Sequence, residues 1–134
     1  MAIKWTEDLA TGIEKIDEQH RELFRRVNEL MEACAKGKGK EQVLKTSNFL
    51  SEYVVMHFGE EEKIMREKNY PGYEAHKAQH DGFVKRFAEI KEKLGQTGPT
   101  VDLVIKMNNF LVDWLFNHIK KTDKALGAYL KGQM

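Results

Sequence analysis

The sequence predicts an all-α fold, an antiparallel up-down-up-down four-helix bundle with an N-terminal arm. Stretches with the alternating apolar and polar residues of a β-strand are nearly absent. Four long segments instead repeat apolar residues at steps of three and four, the spacing of one helix face. Short stretches rich in glycine, proline or asparagine separate them, and helices joined by short loops pack as antiparallel neighbours.

Each predicted helix carries one apolar stripe that should face the core. The helices are expected over residues 17–35, 41–68, 72–94 and 100–130. Their stripes comprise, helix by helix, Leu23, Phe24, Val27, Leu30, Met31 and Cys34; Val43, Leu50, Val54, Ile64 and Met65; Tyr73, Phe83, Phe87, Ile90 and Leu94; and Val101, Val104, Leu111, Leu115 and Tyr129. Thr97 or Thr100 is expected to cap the fourth helix.

The residues before the first helix predict a packed arm rather than a free tail. Apolar side chains recur there at Trp5, Leu9, Ile13 and Ile16. A length of 134 residues suits one domain with a core of its own. We therefore expect a single domain over residues 1–134, with the arm at 1–16 and the bundle at 17–130.

Composition excludes several classes of function. The formal charge is +1 with acidic and basic residues interleaved, so a basic face for nucleic acid is not expected. No apolar run approaches the roughly 20 residues that span a bilayer. The N-terminal residues lack the pattern of a secretory signal, and the lone Cys34 excludes an internal disulfide. These features predict a cytoplasmic protein without membrane insertion.

All five histidines fall on the predicted core-facing stripes. His76 and His80 stand four residues apart, which places both on one helix face. Glu61 follows His57 at the same spacing. An unpaired buried polar group costs about 1–3 kcal/mol, while a small domain has only about 5–15 kcal/mol of net stability. Burying five imidazoles and a carboxylate together therefore predicts a shared partner, a metal centre inside the bundle.

The residues narrow the kind of metal centre. Lys77 stands where a zinc protease of the HExxH type needs its glutamate. No histidine follows a glutamate by three residues, as in ferritin-like di-iron proteins, and Asp17 before His20 is the nearest approach. Five imidazoles exceed the four ligands of one zinc ion and suit two borderline ions such as Fe(II). A bundle stapled by structural zinc remains open at this point.

The order and spacing of these residues resemble the hemerythrin family. The matching motifs are His20, His57-Phe-Gly-Glu-Glu61, His76-x-x-x-His80 and His118-x-x-x-x-Asp123. The run Gly12-Ile13-x-x-Ile16-Asp17-x-x-His20 is also similar to the family. The likeness extends from about Trp5 to Leu130, and a single-domain chain of this length resembles a bacteriohemerythrin.

The resemblance implies a non-haem di-iron centre, with two iron ions (Fe2+/Fe3+) and a solvent-derived oxo or hydroxo bridge. His76, His80 and His118 would hold one iron, His20 and His57 the other, and Glu61 and Asp123 would bridge both. The implied function is reversible dioxygen binding for transport, storage or delivery, without enzymatic activity. Oxygen or redox sensing and a di-iron peroxidase or scavenger activity are the alternatives. Oligomeric state and protein partner stay open.

Helix geometry bears on two of the implied ligands, Glu61 and Asp123. Glu60 neighbours His57 on the helix surface as Glu61 does, and we favour Glu61 as the ligand. Asp123 follows His118 by five residues, which leaves it about 140° around a regular helix. For both side chains to reach one centre, the helix should widen into a π-type turn near Ile119 to Thr122.

An oxygen carrier also needs an apolar pocket at the open iron position, because water and protons must be excluded. By family likeness, Phe58, Trp114 and Ile119 neighbour ligands and are expected to line it. Leu23 and Phe24 lie one turn after His20, and helix geometry adds them to the expected lining.

Overall fold

Four long helices dominate the computed structural model, which describes residues 3–132. They are α1 (Glu14–Ala35), α2 (Gly39–Glu67), α3 (Tyr73–Thr97) and α4 (Val101–Asn117). A π-helix, His118–Asp123, continues α4 into a last helix, α5 (Lys124–Lys131). No strand occurs within residues 3–132, and the predicted four-helix bundle is confirmed.

Short connections keep consecutive helices antiparallel. Gly37 between α1 and α2 and Gly98 between α3 and α4 both adopt left-handed backbone conformations, with φ of +76° and +74°. The side chain of Thr100 accepts a hydrogen bond of 3.2 Å from the Leu103 amide and caps α4. Thr97 is instead the last residue of α3, which runs past the predicted end at Leu94 because Gly98 is where the chain reverses.

The N-terminal arm is held by a buried carboxylate. Asp17 accepts hydrogen bonds from the Thr11 amide and hydroxyl, both at 2.8 Å, and from the Gly12 amide at 3.3 Å. The turn out of the arm therefore lies at residues 11–13, and α1 begins at Glu14, three residues before the predicted boundary. Ile16, expected in the arm, is thus a buried residue of α1.

The arm packs against α1, the π-helix and α5. Leu9 forms a small apolar cluster with Phe24 and Ile119. A side chain at Gly127 on α5 would overlap the Thr11 carbonyl oxygen, so the arm and α5 approach as closely as backbones can. Packing of this kind ties the arm to the end of the bundle that contains the histidines.

The main core follows the predicted stripes, although Val101 is exposed and several stripe residues, among them Met31 and Cys34, are only half-buried. Its buried residues include Leu23, Val27, Leu30, Val43, Leu50, Val54, Phe83, Phe87, Ile90, Leu94, Val104, Leu111 and Leu115. Val101 is 60% exposed because it is the first residue of α4, at the rim of the bundle. Cys34 is only half-buried, next to the end of α1.

None of the helices between residues 3 and 132 combines the length and the apolar composition that crossing a membrane requires.

Candidate metal centre

Four helical segments bring the predicted ligands together at one end of the bundle. His20 lies on α1, His57 and Glu61 on α2, and His76 and His80 on α3. His118 and Asp123 are the first and last residues of the π-helix. All seven are at most 5% exposed.

The π-helix confirms the sequence prediction for this segment. A regular α-helix would leave His118 and Asp123 on different faces, whereas the wider turn returns both to the interior. Asp123 Oδ1 lies 3.2 Å from His118 Nε2. The distortion therefore has a local function, since it brings the carboxylate into the group of imidazoles.

Each oxygen of Glu61 faces a different set of histidines. Oε2 lies 3.2 Å from His20 Nε2 and 3.3 Å from His57 Nε2. Oε1 lies 3.1 Å from His80 Nε2 and 3.6 Å from His76 Nε2. The carboxylate thus stands between the two sets of imidazoles.

Asp123 divides its oxygens in the same way. Oδ2 lies 3.0 Å from His20 Nε2, and Oδ1 lies 2.9 Å from His76 Nε2. Two groups of potential metal-ligating atoms result, and the atoms in each lie within 4.8 Å of one another. One group contains His76, His80 and His118, the other His20 and His57, and both contain the two carboxylates.

Many of these atoms lack a protein hydrogen-bond partner. Within the described residues, the buried atoms that lie close to one another without a well-aligned hydrogen bond include Nε2 of His76, His80 and His118, Oε1 of Glu61, and both carboxylate oxygens of Asp123. Buried polar groups in this state are costly, and several converge here on the same space. Cations between them would satisfy imidazole nitrogen and carboxylate oxygen at once, so the residues fit a pair of metal ions.

In the metal-free cluster, the two buried carboxylates keep their charge because imidazoles surround them. Burial opposes ionisation of Glu61, but His57 and the other imidazoles outweigh it and hold the pKa of Glu61 well below its usual range. Burial and Glu61 oppose ionisation of Asp123, yet His118 and His20 likewise keep its pKa low. Both carboxylates are therefore charged at neutral pH, as metal ligands must be.

The pKa values of the histidines shift in different directions in these surroundings. Burial disfavours a charge on His20, but Asp123 and Glu61 overcome it and raise the pKa of His20 to about 10. The same two carboxylates raise the pKa of His76 to about 9 against its burial. For His118 burial dominates and lowers the pKa. Protons on His20 and His76 thus occupy positions that metal ions would take.

The far nitrogen of His57 is held by a chain of polar groups that reaches the surface. His57 Nδ1 donates to Gln19 Oε1 at 2.6 Å, and Gln19 Nε2 donates to Glu60 Oε2 at 2.6 Å. Lys15 pairs with the other oxygen of Glu60 at 3.0 Å. Because an ionised carboxylate only accepts, Gln19 must present its oxygen to His57, which leaves the His57 Nε2 lone pair free for a metal.

Two other histidines have outer partners as well. Glu62 accepts from His80 Nδ1 at 2.9 Å. Gln79 Oε1 lies 2.7 Å from His118 Nδ1. Sequence reasoning missed Gln19, Glu62 and Gln79, although the two glutamines share a pattern: each immediately precedes a ligand histidine in the chain and contacts a histidine of another helix.

The five predicted pocket residues occupy different surroundings. Phe58 stacks on the His80 ring, with centroids 3.8 Å apart and planes at 4°. Trp114 stacks on His118 at 4.3 Å and 15°. Both aromatic rings therefore pack behind the three-histidine group. Leu23 is buried in the main core, and Phe24 and Ile119 belong to the cluster beneath the arm. The pocket role of these residues stays a prediction.

Fold and site together define a class of protein, a helical bundle that encloses a histidine and carboxylate metal centre. The hemerythrin HHE cation binding domain family matches residues 11–130. The chain belongs to the hemerythrin family, as the resemblance of its motifs predicted.

Named relatives and a solved structure are similar to this protein along most of the chain. The bacteriohemerythrin of Methylococcus capsulatus is 37% identical over 129 residues, which cover 94% of this chain and 95% of the relative. The myohemerythrin of Theromyzon tessulatum is 32% identical over 120 residues, covering 90% and 87%. A crystal structure of wild-type hemerythrin is similar with a TM-score of 0.83 at 36% identity, covering 96% and 97% of the two chains.

Proposed function

We propose that this protein binds dioxygen reversibly at a non-haem di-iron centre, for oxygen transport, storage or delivery. One observation carries the proposal: two unequal groups of histidines share the same two carboxylates. The three-histidine group, His76, His80 and His118, would hold one iron. The two-histidine group, His20 and His57, would hold the other, with Glu61 and Asp123 bridging both.

The inequality between the groups suits ligand binding at one iron only. The first group offers three nitrogens and two carboxylate oxygens, and the second offers one nitrogen fewer. Together with a solvent-derived oxo or hydroxo bridge, the three-histidine group would supply one more donor to its iron than the two-histidine group, which would leave room for dioxygen at the second iron. Iron centres with open positions of this kind are the ones that take up dioxygen.

The protein's own contribution is to hold these ligands and to keep the centre dry. When bound, the iron pair supplies the electrons that dioxygen takes up and returns. Gln19, Glu62 and Gln79 orient three of the imidazoles through their far nitrogens. Burial of all seven ligand side chains excludes the water and protons that would make the electron transfer irreversible.

The proposal also covers the compartment, the absence of enzymatic activity and the domain organisation of the protein. The free Cys34 is in keeping with a reducing compartment such as the cytoplasm. The relatives bear the names of hemerythrins rather than of enzymes, and we propose that this chain is a carrier and not an enzyme. We also propose one hemerythrin-like domain over residues 1–134.

Anaerobic loading with ferrous iron tests the function. Iron per chain is counted, air is admitted, the visible spectrum is recorded, and oxygen is then removed. Two irons, with a colour that appears in air and fades when oxygen is removed, are the expected result. A one-way colour change would favour the peroxidase or scavenger alternative. Binding of a single zinc ion with no iron would leave only a structural bundle.

A further inference from the structure

The side-chain oxygen of Gln79 lies within hydrogen-bonding distance of two residues of the π-helix. Gln79 lies on α3 between His76 and His80, and its amide oxygen reaches the neighbouring helical segment. Oε1 lies 2.7 Å from His118 Nδ1 and 2.8 Å from Thr122 Oγ1. These partners are the first and fifth residues of the π-helix, and Thr122 directly precedes Asp123.

We propose that Gln79 is a positioning residue, which selects the tautomer of His118 and clamps the π-helix so that His118 and Asp123 face the same metal ion. The proposal rests on the di-iron function, but it concerns metal retention rather than oxygen binding. Neither the sequence motif nor the ligand set assigns a role to this residue.

The chemistry of the amide explains the tautomer. A carbonyl oxygen has two lone pairs, so Gln79 Oε1 can accept from the Thr122 hydroxyl and from His118 Nδ1 at the same time. With its proton on Nδ1, His118 presents the lone pair of Nε2 to Asp123 Oδ1, 3.2 Å away. Two acceptors that face each other repel, and a cation between them turns this repulsion into binding.

The position of Gln79 explains why the clamp is needed. Gln79, Thr122 and His118 line an open surface cavity of about 620 Å³, so water reaches this side of the site. Water can donate to or accept from His118 Nδ1 and would leave the tautomer unspecified. A π-helix is also a rare conformation, which makes contacts with neighbouring side chains important for holding it.

The contrast with the other ligands supports the assignment. Within the described residues, Nδ1 of His20 has no hydrogen-bond partner, nor has Nδ1 of His76. His57 and His80 do have Nδ1 partners, in Gln19 and Glu62. Gln19 joins His57 to Glu60 of a regular α-helix through the two ends of its amide, whereas Gln79 joins two residues of the π-helix through a single oxygen.

Three variants test the proposal. Gln79→Ala removes the acceptor, Thr122→Val removes one donor at nearly constant shape, and Gln79→Glu keeps an oxygen that accepts from both. Lys77→Ala, on the same helix and paired with Asp81 on the surface, is the control. Nitrogen NMR of the metal-free proteins reports the His118 tautomer, and anaerobic competition with a chelator reports ferrous iron affinity. Circular dichroism checks that each variant folds.

The expected result is a wild-type His118 with its proton on Nδ1. Gln79→Ala should lose that preference and about 10–100-fold in iron affinity. Thr122→Val should lose less, Gln79→Glu should recover most of the loss, and Lys77→Ala should behave as wild type.

Wild-type affinity and tautomer in a folded Gln79→Ala variant would overturn the proposal. Gln79→Glu behaving like Gln79→Ala would also overturn it, because the accepting oxygen would then not matter. A wild type that holds two irons but never binds oxygen reversibly would refute the proposed function and leave the Gln79 comparison intact. If no iron binds, the tautomer measurement alone decides for or against Gln79.

Discussion

The two ends of the bundle are filled with opposite kinds of side chain. Where α1 turns into α2 and α3 into α4, buried aliphatic residues such as Leu30, Val43, Leu94 and Met107 fill the interior. At the other end, five imidazoles and two carboxylates lie in the interior, next to a smaller apolar cluster of Met65, Leu126 and Leu130. The apolar end is stabilised by the removal of its side chains from water, whereas the polar end has incomplete partners. We infer that the polar end depends on metal for its stability and the apolar end does not.

Aromatic rings lie between the two regions and contact side chains of both. Phe58 stacks on His80 and meets Phe83 of the main core edge-on, with centroids 5.6 Å apart. Trp114 lies against His118 and also against Phe83, at 4.6 Å. The apolar core thus supports the ligands from behind, and the metal site is built on a scaffold that is already packed.

Removing a proposed bridging ligand should have the largest effect. Glu61→Ala should lose iron and the stability that iron adds, because ligand binding to the folded state stabilises it by about 3–4 kcal/mol at 100–1,000 times the dissociation constant. His118→Ala should act in the same direction. Iron per chain and the thermal midpoint in saturating iron are the measurements.

The neighbouring Glu60→Ala variant is the matched control for that experiment. Glu60 contacts Gln19 and Lys15 rather than the metal cluster, so its loss should loosen His57 without emptying the site. Two irons at full occupancy in Glu61→Ala, with iron lost from Glu60→Ala, would reverse the assignment of the two glutamates.

A cavity at the apolar end should affect stability and leave metal binding unchanged. Met107 is fully buried, and Met107→Ala should cost about 2–5 kcal/mol of unfolding free energy. The loss should be the same with and without iron, since this end makes no contact with the metal. Denaturant unfolding of loaded and metal-free protein measures both. A loss of iron comparable to that of Glu61→Ala would show that the two ends are not independent.

Overpacking between the arm and α5 should have an intermediate effect. Gly127→Ala places a methyl group against the Thr11 carbonyl oxygen, so the arm must shift at an expected cost of about 1–3 kcal/mol. Ala128→Gly, at an exposed position on the same helix, is a control for helix propensity alone. Thermal unfolding compares the variants, and an unchanged midpoint in Gly127→Ala would mean that the arm does not pack on α5 in solution.

Much of this arrangement could be predicted from the sequence because it follows from helix periodicity. A histidine on an apolar stripe must face the core, which placed all five imidazoles correctly in the interior. The resemblance implied that His118 and Asp123 share one centre, and helix arithmetic then predicted the π-helix, since no regular helix turns both inward.

The features that sequence missed depend on contacts beyond a single helix. Gln19 and Gln79 act on histidines of other helices, and spacing along one helix contains no information about that partner. The start of α1 was placed too late because Asp17 is fixed by Thr11 and Gly12, upstream of the helix. The hydrogen bonds of Gln19 and Gln79 form only once the helices have packed, whereas the bonds of Asp17 are local to the turn before α1.

The smallest effect is expected at Lys77, which stands between the two ligand histidines of α3. Its ammonium group points to the surface and pairs with Asp81 at 2.9 Å, and solvent screens an exposed pair of this kind so that it adds little stability. Lys77→Ala should therefore keep both irons and nearly all of its stability, because the metal end depends on groups that face inward. Iron counting and thermal unfolding against wild type check this. A large loss of iron would mean that surface charge, and not the buried ligand set alone, holds the metal end together.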